Sequence, residues 1–222
     1  MTITTELVIA RHGEAVCNTT GTVGGDRGCT GLTHSGRQQT HLLAGRLAAE
    51  HGDWPYDALY TTPRLRVRQT ADIIATRLGL TATIEPDLRG PDHGDADGKQ
   101  WHDVKTAFGG PSQHEPDRPY AQGSETWNQY LKRATTTLRT ILDRYHGLRI
   151  LIVGHGETIE AAHTLLLDLP AGACHRRGFV TDHACLTRWQ QHVNRFGRRV
   201  WMLAAHNDTA HIARVREHHD RR

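Results

Sequence analysis

Short apolar segments alternate with longer segments of helical periodicity along this chain of 222 residues. Residues 7–10, 58–60 and 150–153 are apolar runs of strand length, and each is followed by a stretch in which apolar residues recur every three to four positions. The run 150–153 contains no polar residue, which is typical of a strand buried on both faces of a sheet. The alternation therefore predicts an α/β fold in which helices connect mostly parallel strands.

The ends of the predicted helices carry capping and stop residues. Thr33 and Ser124 suit N-cap positions, and Gly52, Gly79 and Gly147 suit the positions just after a helix. The predicted helices span residues 33–50, 65–78, 124–146 and 158–167. Further strands are predicted at 81–84 and, as an antiparallel pair at the sheet edge, at 184–189 and 200–205.

No repeat or linker divides the chain, so residues 1–213 are predicted to form a single domain followed by a polar tail at 214–222. The stretch 90–123, rich in Gly, Pro, Asp and His, is predicted to cover the functional site. A net charge of +3 with scattered basic residues argues against nucleic acid or a membrane as the main partner. The N-terminus has no signal-peptide pattern, so we expect a cytoplasmic protein that is a monomer or a homodimer.

The cysteines and histidines do not follow a metal-binding pattern. Cys17, Cys29, Cys174 and Cys185 are far apart in sequence and include no C-x-x-C pair, so they are interpreted as reduced structural thiols. Among the 17 histidines, the pair at 218–219 lies in the polar tail, and the others show no grouped ligand spacing. We therefore expect no structural metal and no cofactor.

Basic motifs follow three of the predicted strands, at the point where each strand ends. Because the carboxyl ends of parallel strands share one edge of the sheet, these side chains should meet in one crevice. Arginine pairs well with phosphate oxygens, so the predicted ligand is a small phosphorylated molecule. The motifs bring two histidines, His12 and His155, and two or more arginines from Arg11, Arg64 and Arg66 to this crevice.

Four segments in this order resemble the histidine phosphatase superfamily, also called the phosphoglycerate mutase-like family. They read RHGEAVCN at 11–18, TTPRLRVRQTA at 61–71, GHG at 154–156 and NDTAHI at 207–212. The resemblance implies a three-layer α/β/α sandwich with a mostly parallel central sheet and an antiparallel edge strand. It also implies hydrolysis of a small phosphomonoester through a phosphohistidine intermediate.

The resemblance implies a role for each matching residue. His12 would be the nucleophile, since a neutral imidazole can attack phosphorus in line while cations stabilise charge on the equatorial oxygens. Water would then hydrolyse the phosphohistidine. The residues implied to bind the phosphoryl group are Arg11, Asn18, Arg66, His155 and Gly156. The resemblance implies no role for Arg64 and Arg68, which are interpreted as exposed helix charges.

One position departs from the family pattern. Family members that cleave alkyl phosphates usually carry Leu-Arg-Glu, whose Glu is the general acid, whereas this chain reads Leu88-Arg89-Gly90. An alkoxide leaves poorly without a proton, so the departure must be compensated in some way. Another carboxyl could supply the acid, and the candidates are Asp92, Glu157 and, third, Glu125.

Two alternatives require no replacement acid. The substrate could have a good leaving group, as in an aryl phosphate, an acyl phosphate, an anhydride or a protein phosphohistidine. The protein could also bind phosphorylated ligands without turning them over, as a pseudoenzyme. A mutase-type transfer is the weakest hypothesis, because the Arg that follows the acid in mutases is Pro91 here and the mutases' longer insertion is absent. The leading interpretation is a phosphatase with a non-standard or absent general acid.

Overall fold

A six-stranded mixed sheet runs through the protein, which the computed structural model describes over residues 2–170 and 177–212. The parallel strands are β1 (Thr2–Arg11), β2 (Ala58–Thr61), β3 (Ala82–Ile84) and β4 (Arg149–Gly154). The antiparallel strands are β5 (Leu186–Val193) and β6 (Arg199–Asp208), and the strand order is β3-β2-β4-β1-β5-β6. The expected mostly parallel sheet with an antiparallel edge is confirmed.

The helices of the described chain are α1 (Val16–Thr19), α2 (His34–Asp53), α3 (Leu65–Leu78), α4 (Trp101–Phe108), α5 (Trp127–Arg144) and α6 (Gly156–Leu166). Two predicted boundaries were wrong. Gly52 lies inside α2, which continues through Asp53, and Thr126 rather than Ser124 caps α5 by accepting a hydrogen bond from the Gln129 amide. Ser124 instead bonds the backbone of Ala121. Local composition identified these two helices but not the exact residues at which α2 ends and α5 begins.

The apolar runs of β1 and β4 are buried on both faces because helices cover both sides of the sheet. One face, covered by α5 and α6, holds Leu7, Ile9, Ile150 and Ile152. The other face, covered by α2 and α3, holds Val8, Ala10, Leu151 and Val153. The two-residue alternation of a strand thus divides one apolar run between two cores, which gives the three-layer α/β/α sandwich that we expected.

The register of the parallel strands fixes where the site forms. Arg11 at the end of β1 pairs with Gly154 at the end of β4, and the His12 amide donates to the Gly154 carbonyl at 3.0 Å. Strand β2 lies on the other side of β4, with Tyr60 opposite Ile152. The residues that follow β1, β2 and β4 therefore emerge at one edge of the sheet.

The segment 90–123 folds over this edge and contains α4. Ala96 and Val104 of this segment form a small apolar cluster with Val23 from the loop after α1, and Trp101 and Tyr120 pack against the cluster. A carboxylate ties the segment to the loop after α1: Asp97 accepts hydrogen bonds from the backbone amides of residues 25, 27 and 28 at 2.8 to 3.0 Å. Asp97 thus anchors the covering segment to the loop after α1.

Some expectations concern residues outside the described ranges, namely Cys174, the histidines at 218–219 and the tail at 214–222. Among the described residues, Cys17, Cys29 and Cys185 are buried free thiols. No helix within 2–170 or 177–212 combines the length and the hydropathy that crossing a membrane requires. The same ranges contain no group of three His, Cys, Asp or Glu side chains placed to hold a metal ion. Oligomeric state and cellular location remain predictions.

Candidate active site

His12 follows β1 at the carboxyl edge of the sheet and is only 2% exposed. Its Nδ1 lies 2.8 Å from the carbonyl oxygen of Gly13, and its Nε2 lies 3.0 Å from Nε of Arg66. A guanidinium can only donate hydrogen bonds, so Nε2 must be the acceptor and Nδ1 must carry the proton. Nε2 is therefore the nitrogen with the lone pair, and this lone pair accepts the hydrogen bond from Arg66.

The guanidinium of Arg66 joins two imidazoles. It projects from the first turn of α3, and its Nη2 lies 3.3 Å from Nδ1 of His155 while its Nη1 donates to the carbonyl of Gly24 at 2.6 Å. The ring centroids of His12 and His155 are 5.7 Å apart. The structure therefore brings His12, Arg66 and His155 into one cluster.

His155 is fully buried at the N-cap position of α6. Because Arg66 donates to its Nδ1, its Nε2 carries the proton and donates to Oγ1 of Thr62 at 3.0 Å. Thr62 and Arg66 both follow β2, so residues after this strand fix the orientation of a ring that follows β4. The sequence motif contains Thr62 but gave no indication of this role.

The protein environment keeps both histidines neutral. Burial lowers the pKa of His12 well below its usual value, and the positive charge of Arg66, together with His155 and Arg11, lowers it further. Burial, followed by Arg66, Arg64 and Arg11, lowers the pKa of His155 in the same way. At neutral pH each ring is therefore an uncharged imidazole in a cluster of guanidinium groups.

Acid is expected to destabilise the ligand-free protein. Burial lowers the pKa of His93 and of His183 to about 4, and it lowers those of His12 and His155 as well. In the unfolded chain these groups titrate near 6.5, so between about pH 6.5 and 4 the unfolded state binds more protons. Stability is complete above this window and falls as the pH decreases through it.

We expect urea unfolding at pH 7 and at pH 5 to differ by about 3 kcal/mol or more. The variant His93→Phe keeps a ring in place and removes one titrating group, so its loss of stability should be smaller by about 1 kcal/mol. An unfolding free energy that stays constant between the two pH values would contradict the buried, neutral state of these histidines.

Arg11 is the second guanidinium of the cluster. Its Nη1 donates to the carbonyl of Thr181, and its buried Nε has no hydrogen-bond partner among the described residues. A buried donor without a partner is costly, so this N–H is suited to an oxygen of a bound anion. Gly156 begins α6 beside it, where a Cβ would lie 2.8 Å from Oγ1 of Thr181 and 3.7 Å from Nε of Arg11.

Asn18 stands apart from this cluster. It is exposed, and its Oδ1 accepts a hydrogen bond from the Ala15 amide at 3.1 Å, which caps the short helix α1. Its side-chain NH₂ group stays available for a ligand. The structure gives Asn18 a local role beside the phosphate contact that the resemblance implies.

Gly90 faces His155. A Cβ at this position would lie 3.8 Å from Cγ and Nδ1 of His155, which is ordinary van der Waals contact. The position where the family usually carries its acid is thus at the site and has room for a side chain, but it holds none.

Two of the three alternative carboxyls are held in ion pairs. Asp92 contacts Arg89 at 2.7 Å and Arg64 at 3.4 Å, and chiefly the hydrogen bond from Arg89 holds its pKa below the usual value. Burial would raise the pKa of Glu125, but hydrogen bonds from Arg133, at 2.6 and 2.9 Å, lower it overall. Both carboxyls are therefore ionised, unlike a proton donor.

Glu157 differs from these two carboxyls. It is the second residue of α6, two positions after His155, and it lines a cavity beside the cluster. Its side chain forms no hydrogen bond or ion pair with the described residues, but its charge acts on the nearby Arg11, where it partly offsets the lowering of the pKa by burial. Of the three candidates, it is the one whose carboxylate is free to meet a ligand.

The interpretation of Arg64 as an exposed charge was wrong. Its side chain is 3% exposed and pairs with Asp26 at 2.5 Å and with Asp92 at 3.4 Å. Arg64 occupies the N-cap position of α3, before the outer face of the helix begins, and the covering segment buries it. Arg68 is exposed, as expected.

Two further histidines border the site, and the sequence patterns identified neither. The ring centroid of His183 lies 5.8 Å from that of His12, and its buried Nε2 has no partner among the described residues. His93 is bonded through Nδ1 to the hydroxyl of Tyr120. Both stand on loops, where no periodicity marks a residue as buried. The only feature of the sequence that pointed to His93 was its position three residues after Gly90, where the family usually carries its acid.

Two neutral histidines joined by an arginine at the strand ends of a three-layer sandwich define a histidine phosphatase type of enzyme. A family model for the histidine phosphatase superfamily (branch 1) matches residues 7–209, and the chain belongs to this superfamily. The resemblance that the four sequence segments carry is confirmed.

Curated relatives and solved structures agree with this assignment. Phosphoglycerate mutase-like protein 4 of Arabidopsis thaliana is 31% identical over 163 residues, 71% of this chain and 69% of the relative. The uncharacterized phosphatase PhoE of Bacillus subtilis is 26% identical over 210 residues, 94% of this chain and 97% of the relative. A mycobacterial glucosyl-3-phosphoglycerate phosphatase complexed with VO₃ superimposes with a TM-score of 0.76 at 22% identity, over 91% of this chain and 98% of that chain, and shows the shared fold. The expectation of a phosphatase-type enzyme is confirmed.

Proposed function

We propose that this protein hydrolyses a phosphomonoester of a small metabolite through a phosphoryl group carried on His12. The observation that carries the proposal is the neutral His12 ring, whose Nε2 accepts a hydrogen bond from Arg66 inside a buried cluster of cations. A nucleophile needs an available lone pair, and a transferring phosphoryl group needs positive charge around its oxygens. Nε2 of the neutral ring carries the lone pair, and Arg66 and Arg11 supply the positive charge.

The reaction has two steps. Nε2 of His12 attacks phosphorus in line, the N–P bond forms, and the leaving oxygen departs with the electron pair of the broken P–O bond. Water then attacks the phosphohistidine, which releases inorganic phosphate and restores the imidazole. The Nδ1–H bond to Gly13 holds the ring in one orientation and supports the positive charge that the phosphorylated ring acquires. The proposed phosphoryl contacts are Arg11, Asn18, Arg66, His155 and Gly156.

Departure of the leaving group is proposed to use a non-standard acid or none. Asp92 and Glu125 are paired with Arg89 and Arg133, so we assign them to positioning these arginines. Glu157 is the carboxyl that remains free to approach a leaving oxygen. A substrate that leaves readily would need no strong acid at all.

Returning a carboxyl to position 90 tests this assignment. In Gly90→Glu, turnover of glycerol 2-phosphate is expected to rise by about 10-fold or more, because a positioned acid assists a poor leaving group. A Cβ fits at this position without a clash. The p-nitrophenyl ester leaves readily, so its turnover should change much less.

The matched control is Gly90→Gln, which has the same size and no acidic proton. An equal gain in both variants would mean that packing rather than acid catalysis caused it. A folded Gly90→Glu protein with no gain on the alkyl ester would contradict the view that a missing acid limits the reaction.

Trapping the intermediate tests the proposed function itself. After rapid mixing with p-nitrophenyl phosphate and an alkaline quench, we expect a phosphoenzyme that survives base, decays in acid and maps to the peptide that contains His12. Phosphorylation of another residue would overturn the proposal.

The second candidate function is a phospholigand-binding pseudoenzyme, which the absence of a side chain at Gly90 favours. Inorganic phosphate would then bind, but neither aryl nor alkyl esters would turn over. A mutase-type transfer has no comparable observation in its support.

A further inference from the structure

A cavity of about 250 Å³ lies beside the His12 cluster, under the covering segment. Five of the residues that line it carry aromatic rings, and among the described lining residues the only carboxylate is that of Glu157. The ring-bearing residues that line it are His93, Trp101, Phe108, Tyr120 and Trp127.

The cavity adjoins the proposed phosphate site. Pro91 lines it and directly follows Gly90, where a Cβ would lie 3.8 Å from the ring of His155. Glu157 lines it and stands two residues after His155 on α6. A molecule whose phosphoryl group lies on His12 would therefore extend its leaving group into this space.

The ring wall is preformed. Ring centroids are 5.5 Å apart for His93 and Trp101, 5.9 Å for Trp101 and Tyr120, and 6.4 Å for Phe108 and Tyr120. These spacings are those of favourable aromatic pairs. The hydroxyl of Tyr120 bonds Nδ1 of His93, so this imidazole is held within the wall. A planar ring can pack against such a wall without first rearranging it.

The charges around the cavity disfavour an anionic leaving group. The carboxylate of Glu157 has no ion-pair partner among the described residues, so it would repel a carboxylate on the ligand. Lys105, the cation in the part of the lining that the structure describes, is exposed, with its ammonium 5.2 Å from the centroid of Trp101. A phosphoglycerate-like ligand would thus meet a negative group close to the site of reaction.

The size of the cavity and the missing acid indicate the same class of leaving group. A cavity of about 150 Å³ holds benzene, so about 250 Å³ admits one substituted ring. A phenol has a pKa near 10, against about 16 for water-like alcohols, so an aryl oxide leaves without a strong acid. Gly90, next to His155, provides no such acid.

We propose that the substrate is an aryl phosphate monoester whose uncharged ring occupies this cavity while its phosphoryl group lies on His12. This inference rests on the proposed function and names its substrate class. The P–O bond to the ring breaks as the N–P bond forms, and the aryl oxide leaves with the electron pair and takes a proton from water. Water then hydrolyses the phosphohistidine to inorganic phosphate, and this second step is the same whichever ester formed it.

The first experiment uses the unmodified protein and needs no turnover. Phenylphosphonate and methylphosphonate carry the same head group and cannot be hydrolysed. By calorimetry, phenylphosphonate is expected to bind at least about 10-fold more tightly, because its ring is removed from water in the cavity. Equal affinities would overturn the ring subsite.

Three substrates then separate ring binding from leaving-group chemistry. Phenyl and benzyl phosphate both carry a ring, so their KM should be about 10-fold below that of ethyl phosphate. Only phenyl phosphate releases an aryl oxide, so its kcat/KM, which reports the step that forms the phosphohistidine, should exceed that of benzyl phosphate by about 10²-fold. A kcat/KM that is equal for both would overturn the leaving-group part of the inference.

Variants locate the effect within the protein. Trp101→Ala should raise KM for phenyl phosphate about 10-fold and leave KM for ethyl phosphate unchanged, and Trp101→Phe should restore most of the affinity. The control is Phe196→Ala in the β5–β6 hairpin, where the ring is 72% exposed and lies outside the cavity lining. Glu157→Gln should lower KM for 3-phosphoglycerate about 10-fold relative to KM for phenyl phosphate, because the substitution removes the repulsion between the two carboxylates.

The outcomes distinguish this inference from the proposed function. If His12-dependent hydrolysis occurs but rings confer no advantage in KM, the substrate class is wrong and the phosphatase function stands. If no ester is hydrolysed in a His12-dependent way, the phosphatase function fails and the aryl ester substrate fails with it.

Discussion

Replacing His12 with alanine is expected to reduce kcat for p-nitrophenyl phosphate by about 10⁴-fold or more, because the atom that accepts the phosphoryl group is removed. The ring is buried against Gly13 and Arg66, so no neighbouring side chain can take over its Nε2 position without moving. The phosphoenzyme should disappear with the activity. Steady-state kinetics and the alkaline-quench experiment measure the two effects separately.

The matched control is His34→Ala, which removes an exposed histidine at the start of α2. Its kcat should stay within about twofold of the original value, as for most surface substitutions. If His12→Ala kept most of its activity in a folded protein, the phosphohistidine mechanism would be refuted. Circular dichroism and the unfolding midpoint establish that the variant is folded.

Arg149→Ala is expected to lower the free energy of unfolding by about 3 kcal/mol, because it leaves a buried carboxylate without its nearest cation. Glu6 is only 1% exposed, and Nε of Arg149 lies 2.5 Å from its Oε2. The guanidinium also stacks on the ring of Tyr56, 4.0 Å from its centroid. Arg188, 2.8 Å from Glu6, keeps the loss below that of a fully isolated charge.

Urea denaturation at neutral pH measures this loss. Arg118→Ala is the control, since Arg118 and Glu115 form an ion pair of two half-exposed side chains. Removal of such a pair changes stability by less than about 1 kcal/mol. Equal losses of unfolding free energy in both variants would show that the buried Glu6–Arg149 pair stabilises the protein no more than an exposed pair does. A similar kcat per folded molecule in Arg149→Ala would show that the pair acts on stability alone.

The Glu6–Arg149 pair also shows a limit of sequence interpretation. Glu6 lies in the middle of β1 and Arg149 begins β4, and the parallel register places the two residues opposite each other. Each begins an apolar run, so each looks like an ordinary polar residue at a strand end. Only the pairing of two strands more than a hundred residues apart makes them a buried ion pair.

The acid candidates illustrate the same limit at the site. Asp92, Glu157 and, third, Glu125 were candidates from the sequence, because each is a carboxyl near a family motif. In the structure, Arg89 and the more distant Arg64 pair with Asp92, Arg133 pairs with Glu125, and Glu157 has no ion pair among the described residues. The partners of a carboxyl decide what it can do chemically, and those partners come from the tertiary fold.

The amino-acid sequence by itself determined the layered α/β architecture and the edge of the sheet where His12, Arg66 and His155 meet. It could do so because strand periodicity and the shared direction of parallel strands are local rules. Only the tertiary structure decided that Arg64 is buried, that Glu157 is unpaired among the described residues and that rings from residues 93–127 enclose a cavity beside Gly90. These features depend on contacts between distant segments, and no local pattern of residues encodes which distant side chain will lie opposite.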